Sequence, residues 1–415
     1  MIRSIIFTIV ITAGVLGFSQ SRTSSPYSFY GLGQQTFKGT IENRAMGGLS
    51  TYLDSIHVNL RNPAGYGKLR LTTYTVGAVH TETWASTEVD NGTYDATSIE
   101  YVSIGIPLGR KFGMGFGVIP FKSVGYEIGE LTDESYTNFT GEGSINRAYF
   151  GLGYSINDNF SLGAEFRYNF GTESNSSSVR LAGVQFGTNE RNETDFSGAS
   201  FNLGLHYQTL LNDKYELQAS AVYSPENKIT AEGNRQTGLF ILGQNLNETL
   251  VSVREGDSFK EKLDLPSRFT LGANIGQPRK WALGGEYTLE QSSTLSSRTL
   301  IPENASFTDA SSYRLGGFYI PDYNSINSYW ERVTYRAGMR YEENGLMINN
   351  QDITEFGISF GMSLPVGRGG FSNANFGIEY GQRGTTDNGL IKEDFLSLSI
   401  GLSLNDIWFR KRKYN

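Results

Sequence analysis

The sequence predicts an all-β fold: a 14-stranded antiparallel transmembrane β-barrel with an N-terminal plug segment in the lumen. Three observations carry that expectation. Apolar and polar residues alternate with period two through many separate stretches, and short and long connections alternate between those stretches. Beyond the first 20 residues, no apolar run reaches the roughly 18 residues that a membrane-spanning helix needs.

The first element is a processing signal. "MIRSIIFTIVITAGVLGFSQ" has a basic start at Arg3, an apolar stretch from Ile5 to Leu16, and small residues Gly17 and Ser19 before Gln20. It reads as a secretory signal peptide, residues 1–19, with a retained membrane anchor as the alternative. An exported chain without a further apolar helix crosses a membrane, if at all, with strands.

Fourteen strands follow from the alternation, at about 69–82, 97–108, 111–122, 144–156, 160–170, 196–208, 214–225, 266–276, 281–290, 312–320, 331–342, 353–365, 373–383 and 395–405. In 160–170, Phe160, Leu162, Ala164, Phe166, Tyr168 and Phe170 form an apolar face. Ser161, Gly163, Glu165, Arg167 and Asn169 form the polar one. The predicted lengths suit tilted crossings of about 9–11 residues, and the number is even. Short turns at 109–111, 157–159, 211–213, 276–280 and 366–370, with a longer one at 321–330, alternate with long polar connections at 83–96, 123–143, 171–195, 226–265, 291–311 and 343–352. That asymmetry places the short turns, and both termini, on the periplasmic side of an outer membrane.

A soluble β-sandwich would show the same alternation, with its apolar stripes in a core. In a bilayer the backbone must satisfy its own polar groups, so the sheet has to close. The stripes then face outer-membrane lipid, and the lumen receives glycines such as Gly113, Gly115, Gly151 and Gly153 together with charges. Glu165, Arg167, Glu286, Arg314, Arg336, Arg340 and Glu379 are the predicted lumen charges.

Composition narrows the chemistry. With no cysteine and only three histidines, disulfides and thiolate metal sites are excluded, and His57, His80 and His206 have no neighbouring pattern of a catalytic triad. Carboxylates at 90–96 and 255–264 lack calcium-loop spacing. No cofactor motif stands out, and a net charge of -7 argues against nucleic acid as a partner. The chain therefore reads as a non-enzyme in four parts: signal peptide 1–19, plug or hatch 20–68, barrel 69–409 and a basic periplasmic tail 410–415.

Residues 20–68 are polar and Gly-containing, but Tyr27, Phe29, Tyr30 and Phe37 favour a folded segment inside the barrel over a disordered tail. "NPAG" at Asn62, Pro63, Ala64 and Gly65, just before the first strand, resembles an element of the FadL-like outer-membrane transport family of long-chain fatty acid and aromatic hydrocarbon transporters. "LPSRFTLG" at 265–272 is similar to that family's mid-barrel strand start, and the likeness extends over the mature chain. The resemblance implies a hatch seated by the NPAG element: Asn62 capping a turn, Pro63 fixing its path, Gly65 permitting close passage.

"EDFLSLSIGLSLNDIWFRKRKYN" resembles the last strands of outer-membrane proteins of the Bacteroidota. Trp408 or Phe409 would supply the aromatic end that barrel insertion machinery reads during biogenesis. Two functions are implied. One is passive passage of a small hydrophobic or amphipathic ligand through a plug-gated lumen. The alternative is a non-transporting accessory barrel in an outer-membrane protein export or insertion complex. Leu239, Phe240, Ile241 and Leu242, an apolar cluster in the 226–265 connection, form the candidate surface for a ligand or partner.

Overall fold

The computed structural model describes residues 22–295, 304–367 and 371–408. The proposed signal peptide, Phe409 and the basic tail lie outside the described residues. Seven strands come first: β1 (Thr72–Ser86), β2 (Asn91–Pro107), β3 (Phe112–Leu131), β4 (Ser135–Ser155), β5 (Phe160–Leu181), β6 (Gly187–Leu211) and β7 (Tyr215–Ser224). A hairpin of β8 (Asn227–Leu242) and β9 (Glu248–Leu265) leads into β10 (Arg268–Gln277) and β11 (Trp281–Glu290). The rest are β12 (Ala305–Phe307), β13 (Ala310–Tyr319), β14 (Thr334–Ile348), β15 (Gln351–Val366), β16 (Ser372–Arg383) and β17 (Lys392–Asp406).

Fourteen of these make the wall. Each pairs antiparallel with the next in the order β1 to β7, β10, β11, then β13 to β17. β17 returns to β1 from Thr72↔Asp406 to Ser86↔Lys392, so the barrel closes without a free edge. All 14 predicted strands are present, and the predicted faces hold. Phe160, Leu162, Phe166 and Tyr168 are exposed on the outer side, whereas Ser161, Glu165, Arg167 and Asn169 are buried on the inner one. A monomer with this much outward apolar surface needs hydrocarbon around it.

The long connections depart from expectation. Much of 83–96, 123–143, 171–195 and 226–265 is strand, with tight turns near 87–90, 132–134 and 182–186. β6 alone runs 25 residues, far more than a tilted crossing requires. Beyond the apolar band the outer face meets water instead of hydrocarbon, so pairing continues while the hydrophobic alternation that reveals it stops. β8 and β9 continue the sheet there: β8 pairs with the upper part of β6 from Gly187↔Phe240 to Ser197↔Thr230.

That strand character also corrects the apolar cluster. Leu239 and Ile241 are 42% and 39% exposed, but Phe240 between them is fully buried, its ring edge-on to Tyr136 at 6.3 Å. Successive residues of a strand point to opposite faces, so the four residues cannot form one surface. His80 lies mid-strand on the exposed face of β1 and bonds Thr97 through Nδ1 at 2.8 Å. His206 points inward and is buried. Trp408 follows the end of β17 and meets the ring of Tyr74 edge-on at 5.6 Å.

Candidate functional site: the N-terminal segment and the barrel wall

Residues 22–68 contact wall strands all round the barrel, from Glu100 on β2 to Gln218 on β7, Glu286 on β11 and Glu379 on β16. The segment has little regular structure, so capping side chains and glycines shape it. Thr40 starts a short helix, α1 (Ile41–Arg44), and accepts from the Asn43 N–H. Gly47 and Gly48 end the turn at φ of 68° and 83°, a left-handed region that glycine occupies without a Cβ penalty. Asn62 caps the turn Pro63–Lys68, its Oδ1 accepting from the Ala64 N–H at 3.0 Å.

The NPAG element and the turn it opens pack against β3 to β6. Asn62 Nδ2 donates to the Leu205 carbonyl on β6 at 3.2 Å. A Cβ added at Gly163 would lie 2.1 Å from the Pro63 carbonyl carbon, one at Gly204 2.2 Å from Asn62 Oδ1, and one at Gly153 2.4 Å from the Gly67 nitrogen. The Tyr66 ring lies equally close to Gly115 and Gly151. Inward glycines on β3 to β6 thus form a floor on which the segment's backbone rests. Gly65 acts differently from expectation: its close neighbours are Asn59 and Leu53 within the segment, at 3.2 and 3.3 Å from an added Cβ, not the wall. On the opposite wall the backbone of Met46 and Gly47 presses on Gly316 and Gly338, and Thr51 on Gly272.

Charge completes the attachment. Glu286 accepts from Ser50 through its N–H at 3.0 Å and its hydroxyl at 2.7 Å, and pairs with Arg61 at 3.0 Å and Arg314 at 3.2 Å. Arg314 reaches on to Glu342 at 2.6 Å, which Lys38 also contacts at 2.6 Å. Lys38 and Arg340 share Glu355, and Arg340 and Arg44 share Glu379, at 2.5 to 3.1 Å. Arg383 joins Glu355 to Glu393, each at 2.7 Å. Three cations of the segment, Lys38, Arg44 and Arg61, are therefore built into a network of wall carboxylates. Leaving a buried charge without such a partner is costly.

Of the predicted lumen charges, Glu286, Arg314, Arg340 and Glu379 enter this network. Glu165 and Arg167 pair with each other at 2.5 Å, and Tyr66 Oη lies 3.4 Å from Glu165. Arg336 stands apart, its Nη1 on Ser363. Glu100, Glu342, Glu355, Arg383 and Glu393 were missed. Glu342 and Arg383 continue the inward parity of Arg340 and Glu379, so carrying the alternation past the last apolar residue would have found them. Glu100 has a different origin: a bulge opposite Gly77 and Ala78 turns both Glu100 and Tyr101 inward, where Tyr101 Oη accepts from the Ile41 N–H at 3.0 Å.

One titratable pair belongs to the segment itself. His57 Nδ1 and Asp54 Oδ2 are 2.6 Å apart, and Asp54 Oδ1 also accepts from the N–H groups of Ile56 and His57. Burial works against both charges, but their mutual attraction and hydrogen bonding prevail, raising the His57 pKa above 6.5 and lowering that of Asp54 below 3.8. The His57 contribution to stability is full below about pH 6.5 and is lost as pH rises through its raised value. The Asp54 contribution is present above about pH 3.8 and is lost as pH falls through its lowered value. A ¹³C-imidazole titration should therefore place the His57 midpoint above 6.5 in the wild type and move it down in D54N. Identical midpoints would contradict the pairing.

The BamG family model matches residues 1–415. No curated protein matches. Among solved structures, the chain is similar to a FadL homologue of Pseudomonas aeruginosa at 14% identity and a TM-score of 0.58, covering 90% of this chain and 98% of that one. It is similar to the toluene transporter TodX of P. putida at 14% identity and a TM-score of 0.56, covering 89% and 99%. The CymD monoaromatic hydrocarbon channel gives 16% identity, a TM-score of 0.56 and coverage of 90% and 99%. At such identities the likeness establishes a shared FadL-like outer-membrane barrel fold. With its whole length matched by one family model, the chain belongs to the BamG family, built on that 14-stranded barrel.

Proposed function

We propose that the protein is a non-transporting accessory barrel of an outer-membrane protein export or insertion complex. The observation that carries this reading is the way the N-terminal segment divides the lumen. On β14, a cavity of about 130 Å³ touches Glu342, Glu343, Asn344 and Leu346, and a second of about 190 Å³ touches Thr334 and Arg336. Between those levels Gly338 and Met339 lie under the backbone of Met46 and Gly47. Opening a path there requires backbone to lift off backbone and buried ion pairs to separate.

The outer surface supports the same reading. Among the described residues β9 pairs with β8 on one side only, and Leu250, Val251 and Val253 on it are more than half exposed. An unpaired edge with apolar side chains is a ready surface for pairing with another chain. Passage of small hydrophobic molecules is the second reading, favoured by the fold shared with hydrocarbon channels. Extraction in mild detergent and mass measurement of the particle should find the protein in a fixed ratio with other membrane subunits. Saturable uptake of a monoaromatic hydrocarbon by vesicles holding the purified wild-type protein alone would overturn the accessory role and establish the transport one.

A further inference from the structure

The second cavity does not belong to the network that fastens the segment. It lies at the short-turn end of the barrel, where β10 meets β11, β13 meets β14 and β15 meets β16. Arg279, Arg332 and Arg336 line it beside Tyr52, Phe318 and Ile320. None of the ion pairs among the described residues includes any of these three arginines. Nε of both Arg332 and Arg336 is buried without a hydrogen-bond partner. This contrasts with the lumen above, where every arginine of the fastening network holds a carboxylate.

A guanidinium that lines a cavity and holds no carboxylate is a donor group for an anion that enters. The arginines are held in place by contacts that include no carboxylate. Arg336 donates from Nη1 to Ser363, Arg332 lies 5.5 Å from the centre of the Tyr329 ring, and Arg279 lies 5.2 Å from that of Tyr323. Two carboxylates also line the cavity: Asp54, bound by His57, and Glu42, which accepts from Asn375 at 2.7 Å through Oε1 and whose Oε2 has no hydrogen-bond partner. The three arginines outnumber these two acids. The apolar wall has its own order, with Tyr52 edge-on to Phe318 at 4.9 Å and Ile320 buried.

We propose that this cavity is a binding site for an amphipathic carboxylate, an aromatic ring or short chain bearing one free carboxyl group. Arg332 and Arg336 receive the carboxylate and Tyr52, Phe318 and Ile320 receive the apolar part. The volume of about 190 Å³ accommodates one ring with its acid and little more. The chemistry is shared by a free aryl or alkyl acid and by the C-terminal residue of a polypeptide ending in an aromatic side chain. The proposal uses only the cavity and stands whether the barrel is an accessory subunit or a channel.

The test uses the full-length protein in lipid nanodiscs, titrated by calorimetry with 3-phenylpropionate, N-acetyl-Gly-Phe and N-acetyl-Gly-Phe-amide. Binding of at least one free acid is expected, with the amide weaker by at least tenfold. R332Q and R336Q should each weaken the acid by at least tenfold. Tighter binding of the peptide acid identifies a polypeptide C-terminus as the ligand, and tighter binding of phenylpropionate a free acid. R332Q changes a residue at the turn after β13, outside the wall ladder, so its effect is read without loss of the barrel, and thermal unfolding of both variants checks this. Equal affinity for acid and amide, unchanged affinity in R332Q and R336Q, or no binding at millimolar acid would overturn the proposal.

Discussion

Replacing Arg340 with alanine should destabilise the barrel by about 3–5 kcal/mol, as expected when one partner of a buried charge cluster is removed. Arg340 is 3% exposed and sits 2.5 Å from both Glu355 and Glu379. Those carboxylates retain Lys38, Arg383 and Arg44, but lose the one cation that lies between them. Unfolding by denaturant in micelles measures the loss. Combining R340A with E379Q should cost less than the sum of the two single changes, because the second removes a charge that the first leaves unpaired. By contrast, K260A breaks the pair Lys260–Glu232, with both side chains more than 60% exposed, and should change stability by less than about 1 kcal/mol. An R340A protein within about 1 kcal/mol of wild type would show that the network does not hold the fold.

Placing valine at Gly338 should dislodge the N-terminal segment. An added Cβ there lies 2.1 Å from the Met46 carbonyl carbon and 2.4 Å from the Gly47 nitrogen. Gly316 beside it meets the same backbone at 2.3 Å, and the Gly47 N–H is tied to Ser359 Oγ at 2.9 Å, so a small lateral shift does not relieve the clash. Core overpacking that can relax costs about 1–3 kcal/mol. Here the less costly response is for the segment to lift away, because wall strands are locked by pairing on both sides. G338V should therefore raise conductance in planar bilayers at least tenfold over wild type and expose residues 40–60 to protease. G92V is the control, since nothing lies within 4 Å of an added Cβ at Gly92. A G338V protein as sealed and as protease-resistant as wild type would show that the seating on β13 and β14 is not what closes the lumen.

The two readings of function separate on the same variants. If closure is permanent and the barrel is accessory, G338V gains a leak that the wild type lacks. If the segment moves in normal use, wild type and G338V should both pass a hydrocarbon, at different rates. What distinguishes them is therefore the wild-type baseline.

How much was legible follows from where solvent imposes a pattern. Phe166 against Arg167, or Leu398 against Ser397, declares a strand with hydrocarbon on one side and a polar lumen on the other. Glu190 to Glu193 on β6 and Val251 to Lys260 on β9 declare nothing, because water reaches both sides there and either conformation is compatible with those residues. The asymmetric treatment of Phe240 shows the same gap. Its burial depends on Tyr136 of β4 and Gly187 of β6, which only the pairing of β8 with β6 beyond the apolar band brings to it.

Alternation with period two fixed the number of wall strands, their faces and the end at which the turns are short, because each of these is a local response of the chain to the liquid beside it. Which carboxylate holds which cation, and which glycine receives which stretch of the N-terminal segment, was settled by closure alone. Lys38 and Glu355, or Met46 and Gly338, are some 300 residues apart along the chain. No local regularity connects them, and they meet because a closed wall has a single interior that one segment must fill.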